Sequence, residues 1–208
     1  MKKSKIVRYS VGIDEVGRGS LAGPVAVAAA LIPKNLKIGN KELKTLRDSK
    51  KLSAIQREKW FKYFTNHPQI SFAVSKVYPR KIEKINISSA ANLAALRAYK
   101  KLTSNFKYQT SSTAVFLDGG LYLGSRKSQI ANCQSISAKT VIRGDEKITA
   151  IKIASIIAKV SRDAQMRRLA KKYPSYGFEI HKGYGTKAHL AALKKFGPSE
   201  IHRQTFLS

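Results

Sequence analysis

Residues 11–25 read VGIDEVGRGSLAGPV. An apolar run ends in the acidic pair Asp14 and Glu15, then enters a loop of glycines around one arginine before apolar residues resume at Val25. β-Branched and small apolar residues on both sides of GRGSLAGP predict two strands, at 7–14 and 25–32, joined by the Gly/Pro loop and paired with each other. The second strand belongs to LAGPVAVAAALIP, which is broken by Gly23 and Pro24 and falls short of the roughly 20 residues a spanning helix needs. It reads as a buried strand, and no membrane partner is expected.

A lysine-rich loop at 34–51 follows, ending in RDSKKLS, where Ser53 caps a helix running to about Thr65. After a strand near 70–78, NISSAANLAALRAYKKL (86–102) sets Ile87, Ala91, Ala94, Ala95, Ala98 and Leu102 on one face of a helix that packs on a sheet. STAVFLDGG (112–120) is a short, nearly uniformly apolar strand ending at Asp118, the pattern of a strand covered by helices on both faces. A second long helix is expected from near Thr149 to about Ala170, with Ala150, Ala154, Ile157, Ala158 and Ser161 as its inward face. YGFEIHKGYGT (176–186) reads as a loop, and 187–196 as a last helix stopped by Gly197 and Pro198. This order predicts an α/β fold, a mixed β-sheet flanked by helices with a helical C-terminal region. The length of 208 residues and the 43% apolar composition suit one domain.

Forty Lys and Arg against 12 Asp and Glu give a formal net charge of +28. Such a field attracts a polyanion, and nucleic acid fits better than a membrane surface. MKKSKIVRYS carries no apolar segment behind its basic residues, so a cytoplasmic protein is expected. Cys133 has no partner for a disulfide, and no Cys/His spacing resembles a zinc site.

Most of the acids sit among lysines, where surface ion pairing is the expected role. Asp14, Glu15 and Asp118 differ, because each ends an apolar strand with glycine within three residues, and the carboxyl ends of strands are where α/β sheets build sites. Neighbours on a regular strand point to opposite faces, so Asp14 and Glu15 can share a site only where the alternation lapses at the strand end. Clustered carboxylate oxygens suit Mg²⁺ or Mn²⁺. Two such ions hold the attacking water and the leaving oxygen of a phosphodiester in line. Gly17 and Gly19 allow backbone N–H groups to approach a phosphate while Arg18 adds charge, although the same residues also make an ordinary hairpin loop.

The stretch GIDEVGRGSLAGPV (12–25) resembles the opening motif of the ribonuclease HII family. The likeness continues in order through DSKKLS (48–53), FLDGG (116–120), GDEKITAIKIASIIAKVSRD (144–163), HKGYGTKAHLAAL (181–193) and GPSEIHRQTF (197–206). The resemblance implies a ribonuclease H-like fold and a metal-dependent endonuclease, using Mg²⁺ or Mn²⁺, that acts on RNA–DNA hybrids and on DNA containing ribonucleotides. It implies a catalytic and metal-binding quartet of Asp14, Glu15, Asp118 and Asp145, and substrate binding by Gly17, Arg18, Gly19, Lys50 and Tyr184. Tyr184 and the glycine-loop backbone would meet the ribonucleotide 2′-hydroxyl, the group that separates RNA from DNA. It further implies a single catalytic domain over 1–208, with 172–208 as a substrate-binding helical extension, acting as a monomer.

The residues alone do not single out Asp145, since RGDEKIT reads as a polar turn, and Asp163 in KVSRD stands as the rival fourth acid. Beside Arg162, Asp163 reads as part of a surface or interhelical ion pair. Two positions depart from the family's usual pattern: Lys152 and Ile153 ahead of Ala154-Ser155, and Gly120 where Asn is common. A ribonuclease HIII-like paralogue is the nearest alternative, disfavoured because there is no room for an added domain ahead of residue 7. A non-catalytic basic nucleic-acid-binding protein accounts for the charge but not for acids at apolar strand ends.

Overall fold

The computed structural model describes residues 8–39, 43, 46–104, 113–123 and 138–207; Cys133 lies outside them. Strands β1 (Tyr9–Val16) and β2 (Val25–Pro33) pair antiparallel around the glycine loop, with Asp14 opposite Ala28 and Glu15 opposite Val27. β3 (Ser71–Val77) adds antiparallel to β2. On the other side β4 (Thr113–Asp118) runs parallel to β1, and β5 (Ala138–Val141) parallel to β4, giving the order β3-β2-β1-β4-β5. A mixed sheet follows, since a return to parallel pairing requires a crossover through helices.

Those helices occupy both faces. α1 (Ala54–Asn66) begins at a capping box in which Ser53 Oγ accepts from the Gln56 N–H and Gln56 Oε1 accepts from the Ser53 N–H. α2 (Pro79–Ile85) and α3 (Ile87–Ser104) lead from β3 to β4, and α3 lays its alanine face with Leu102 against Val11, Ile13, Val27, Val115 and Leu117. On the opposite face α4 (Gly144–Lys147) and α5 (Thr149–Lys172) follow β5, and α5 packs with α1 on Ala28, Ala30 and Ile32. α6 (Phe178–His181) and α7 (Lys187–Phe196) form the C-terminal region around Phe178 and Met166.

Contact between β1 and α5 is unusually close. A Cβ placed on Gly12 would lie 2.1 Å from the Ala150 carbonyl carbon and 2.2 Å from the Ile151 nitrogen, so glycine is required for the helix backbone to reach the strand.

The expected elements at 25–32, 53–65, 87–102 and 187–196 are present, and four readings need correction. β1 continues to Val16 because its last residues keep their partners on β2, so Asp14 and Glu15 lie within the strand. α5 is buried at most positions from Ala150 to Asp163 instead of along one stripe, because the sheet, α1 and the C-terminal helices surround it; Ser161 is half-exposed. β4 buries Val115 and Leu117 toward α3 but leaves Ala114 exposed, so its cover is one-sided there. Within 176–186, read as loop, four residues form α6, since Gly177 and Lys182 in left-handed conformations bound a single turn.

Candidate active site

On the regular pleat of β1, Asp14 shares the α5 face with Gly12, and Glu15 shares the α3 face with Ile13. Alternation does not lapse at this pair, contrary to the expectation that sharing a site needs a lapse: from the two faces of the strand the carboxyls still act on one another, and both on Asp118. Asp14 is buried, accepts the Glu15 N–H at 2.8 Å and hydrogen-bonds Ser155 of α5, whose Oγ lies 2.7 Å from Ser49 Oγ. Burial, then the charges of Glu15 and Asp118, hold its carboxyl well above the usual range. Glu15 is raised by burial and by Asp118 against the opposing pull of Arg18, whose Nη1 lies 3.4 Å from Glu15 Oε1. The second guanidinium nitrogen of Arg18 donates to Ser88 Oγ of α3 at 2.6 Å.

Asp118, at the end of β4, accepts the Gly144 N–H at 2.6 Å, which ties the strand end to the start of α4. Burial and neighbouring Asp145 raise its carboxyl, while the Gly144 bond and Lys50 oppose the shift. Asp145 is buried in the first turn of α4, and Lys50 Nζ donates to its Oδ2 at 2.9 Å from a largely exposed side chain. Lys50 is positioned by the turn at Ser49–Lys51, where Asp48 Oδ1 accepts its backbone N–H. Asp14, Glu15, Asp118 and Asp145 are therefore brought into one electrostatic group. Asp163 stands apart, paired within α5 to Lys159 at 3.0 Å, so its partner is neither Arg162 nor another helix.

The glycine loop is held from below by two fully buried arginines that the sequence reading did not single out. Arg162 of α5 donates to the Pro24, Ala22 and Lys182 carbonyls and to Ser20 Oγ. Arg203 donates to the carbonyls of Gly17, Arg18 and Gly23. Neither has a carboxylate partner among these bonds, so two cations are dissolved in backbone carbonyls beneath the loop. Charge pattern could not have found them, because arginine among many basic residues looks like solvated surface. Gly17 has φ +83°, and a Cβ there would strike the Arg162 guanidinium at 2.0 Å, whereas Gly19 faces open space. Tyr184 is half-buried beside this loop: the Gly183 carbonyl accepts from the Leu21 and Ala22 N–H groups, and the Arg162 guanidinium lies 5.4 Å from the ring centroid. Gly120, one of the departures, adjoins Arg18, and a Cβ there would come within 3.3 Å of its Nη1.

As they stand, no three His, Cys, Asp or Glu side chains among the described residues are gathered closely enough to hold a metal ion. The donors nevertheless fit a hard divalent cation in kind and charge. Three carboxyls are raised by burial and mutual repulsion, and Glu15 Oε2 is buried without a hydrogen-bond partner. No described helix is long and apolar enough to cross a membrane.

A grouped set of repelling carboxylates on β1, at the end of β4 and at the start of α4 lies next to a glycine loop on a strongly basic chain. The sequence profile of the ribonuclease HII family covers residues 11–208. Ribonuclease HII of Bacillus mycoides is 41% identical over 204 residues, spanning 98% of this chain and 71% of its own length. Among solved structures, ribonuclease H2 of Pyrococcus horikoshii superposes with a TM-score of 0.68 at 25% identity, covering 95% of this chain and 93% of that one. Bst-RNase HIII in complex with Mn²⁺ reaches 0.69 at 17% identity over 96% of this chain and 67% of that one, a likeness of fold. With family, fold and grouped acids in agreement, the chain belongs to the ribonuclease HII family and is an endonuclease of the ribonuclease H type.

Proposed function

We propose that this chain hydrolyses the RNA strand of RNA–DNA hybrids and cuts on the 5′ side of a ribonucleotide embedded in duplex DNA, leaving 3′-hydroxyl and 5′-phosphate ends. The observation that carries the reading is the carboxylate group itself. Buried acids that raise one another's affinity for protons cost stability, and such perturbed groups cluster at functional sites. Asp14, Glu15, Asp118 and Asp145 are the residues that would hold Mg²⁺ or Mn²⁺, and the Mn²⁺ complex of the similarly folded Bst-RNase HIII supports that choice. Bound there, divalent ions supply an activated water and neutralise charge developing on the phosphate.

The chain's own residues do the rest. Arg18 and Lys50 each sit on one of the acids and present cationic donors at the site's edge, where phosphate oxygens of the substrate would meet them. The open face at Gly19 lets a sugar–phosphate backbone come close to the loop. Tyr184 offers a hydroxyl and a flat apolar surface for a 2′-hydroxyl and the following deoxyribose. We assign the hold on the polymer to residues 172–208, which carry Tyr184 together with Lys187, Lys194 and Lys195.

The test is digestion of a duplex with a single ribonucleotide, with products mapped to the nucleotide, in Mg²⁺, in Mn²⁺ and in chelator. Incision 5′ of the ribonucleotide, lost in chelator and restored by either ion, is expected. Cutting of all-DNA duplex, or undiminished cutting after exhaustive metal removal, would refute the reading.

A further inference from the structure

Behind the tyrosine loop lies a stack of three buried histidines that the carboxylate site does not use. The His181 and His189 rings are 4.4 Å apart at 16°, and those of His189 and His202 are 5.2 Å apart. Phe178 and Tyr176 enclose the three rings. Buried imidazoles are tolerated only when their ring nitrogens are partnered, and here the partners fix where the protons lie.

The Ser199 N–H donates to His202 Nδ1 at 2.9 Å, so the proton of the neutral ring is on Nε2. His202 Nε2–H then donates to His189 Nε2 at 3.0 Å. The proton of His189 is thereby confined to Nδ1, which donates to the Tyr184 carbonyl at 3.0 Å. A carbonyl can only accept, so the far end of the chain demands the same direction independently. His181 is fixed likewise: its Nδ1 accepts the Gly183 N–H, and its Nε2 donates to the Tyr176 carbonyl.

We propose that His189 and His202 are positioning residues, forming a one-way hydrogen-bond relay from Ser199 through both rings to Tyr184 that holds the tyrosine against the glycine loop. This rests on the reading above that Tyr184 meets the ribonucleotide. Three successive carbonyls fix that segment: Lys182 to Arg162, Gly183 to the Leu21 and Ala22 N–H groups, and Tyr184 to His189. Without the relay, the Tyr184 carbonyl keeps, among the described residues, only the Thr186 N–H at 2.8 Å.

An added proton on His189 Nε2 opposes the relay by meeting the His202 N–H, while one on His202 Nδ1 meets the Ser199 N–H but also has Ser199 Oγ at 2.8 Å to accept it. Burial, reinforced by His189 and His181, brings His202 down from 6.5 to about 4, and burial also lowers His189. The titratable groups acting on the pair are the histidines themselves, while Arg203, next in the chain, is turned to the Gly17, Arg18 and Gly23 carbonyls. A folded value below the unfolded one means that the contribution of His202 is complete above pH 6.5 and is lost as pH falls through about 4.

Two measurements test the relay. Nitrogen-15 spectra of labelled histidine at neutral pH should show the Nδ1–H tautomer for His189 and the Nε2–H tautomer for His202 and His181. Cleavage of the single-ribonucleotide duplex should then be compared for His189→Ala, His189→Asn and Tyr184→Ala. Loss of one buried hydrogen bond should lower kcat for His189→Ala about fivefold, with KM set by phosphate contacts little changed. His189→Asn, which keeps an N–H near the place of Nδ1, should recover to within about twofold. If His189→Ala fails to fold, the spectra and His189→Asn decide. An Nε2–H tautomer at His189, or wild-type cleavage by His189→Ala while Tyr184→Ala is impaired, overturns the relay as a positioning device. Wild-type cleavage by Tyr184→Ala with the expected tautomers overturns the reading of Tyr184 instead, and with it any substrate role for the relay.

Discussion

Replacing Gly12 by alanine tests whether the register of β1 against α5 sets the site. The added methyl would stand 2.1 Å from the Ala150 carbonyl carbon, 2.2 Å from the Ile151 nitrogen and 2.4 Å from the Ala150 oxygen. Carbon contacts are comfortable near 3.5–4.0 Å, so strand and helix must separate by roughly 1 Å or more. All three obstructing atoms are backbone, and none can rotate away. Overpacking of this kind typically costs 1–3 kcal/mol, and with no side chain able to yield we expect about 3 kcal/mol. At roughly 2–4 °C per kcal/mol for a chain of this size, Tm should fall by about 6–12 °C. The same separation carries Ser155 away from Asp14, so the folded fraction should also lose activity on the single-ribonucleotide duplex. Thermal and urea unfolding monitored at Trp60, with Gly19→Ala as the comparison because that position faces open space, provide the assay. A Gly12→Ala protein that melts with wild type and cuts normally would refute the proposed contact.

Asp14→Asn should be inactive yet at least as stable as wild type in chelator near neutral pH. The folded carboxyl is held above its ordinary value, so protonated Asp14 favours folding at low pH, and that contribution is lost as pH rises through the folded value, leaving a destabilising charge that asparagine removes. A clear drop in the urea midpoint would point to a structural need for the carboxylate. Asp145→Asn should reduce turnover far more than Asp163→Asn at saturating metal, since only Asp145 adjoins Asp118 and Lys50. The reverse order in steady-state kinetics would move the fourth acid to α5.

Where a segment's own pattern matched its surroundings, sequence reasoning found it. The Ser53 cap, the alanine face of α3 and the Gly-Pro stop after α7 are local signals, and each has its expected structural counterpart. β5 and α4 are too short to carry periodicity; β5 exists because β4 offers it an edge, and α4 because Asp118 accepts the N–H of its first residue. Asp145 was invisible for the same reason, since a polar turn becomes a buried acid only once Lys50, almost a hundred residues earlier, reaches it. The histidines at 181, 189 and 202 belong to no single helix or strand, so no periodicity links them. Only the folded chain shows that they touch.

The bond from Arg203 to the Gly17 carbonyl spans 186 positions. Synthesis at about 5–20 residues per second puts roughly 10–40 s between the two ends. For that interval a growing polypeptide holds its acidic residues without the clasp that shapes the loop beside them. The glycine loop beside the acids is clasped only once residue 203 has been made and folds back onto it.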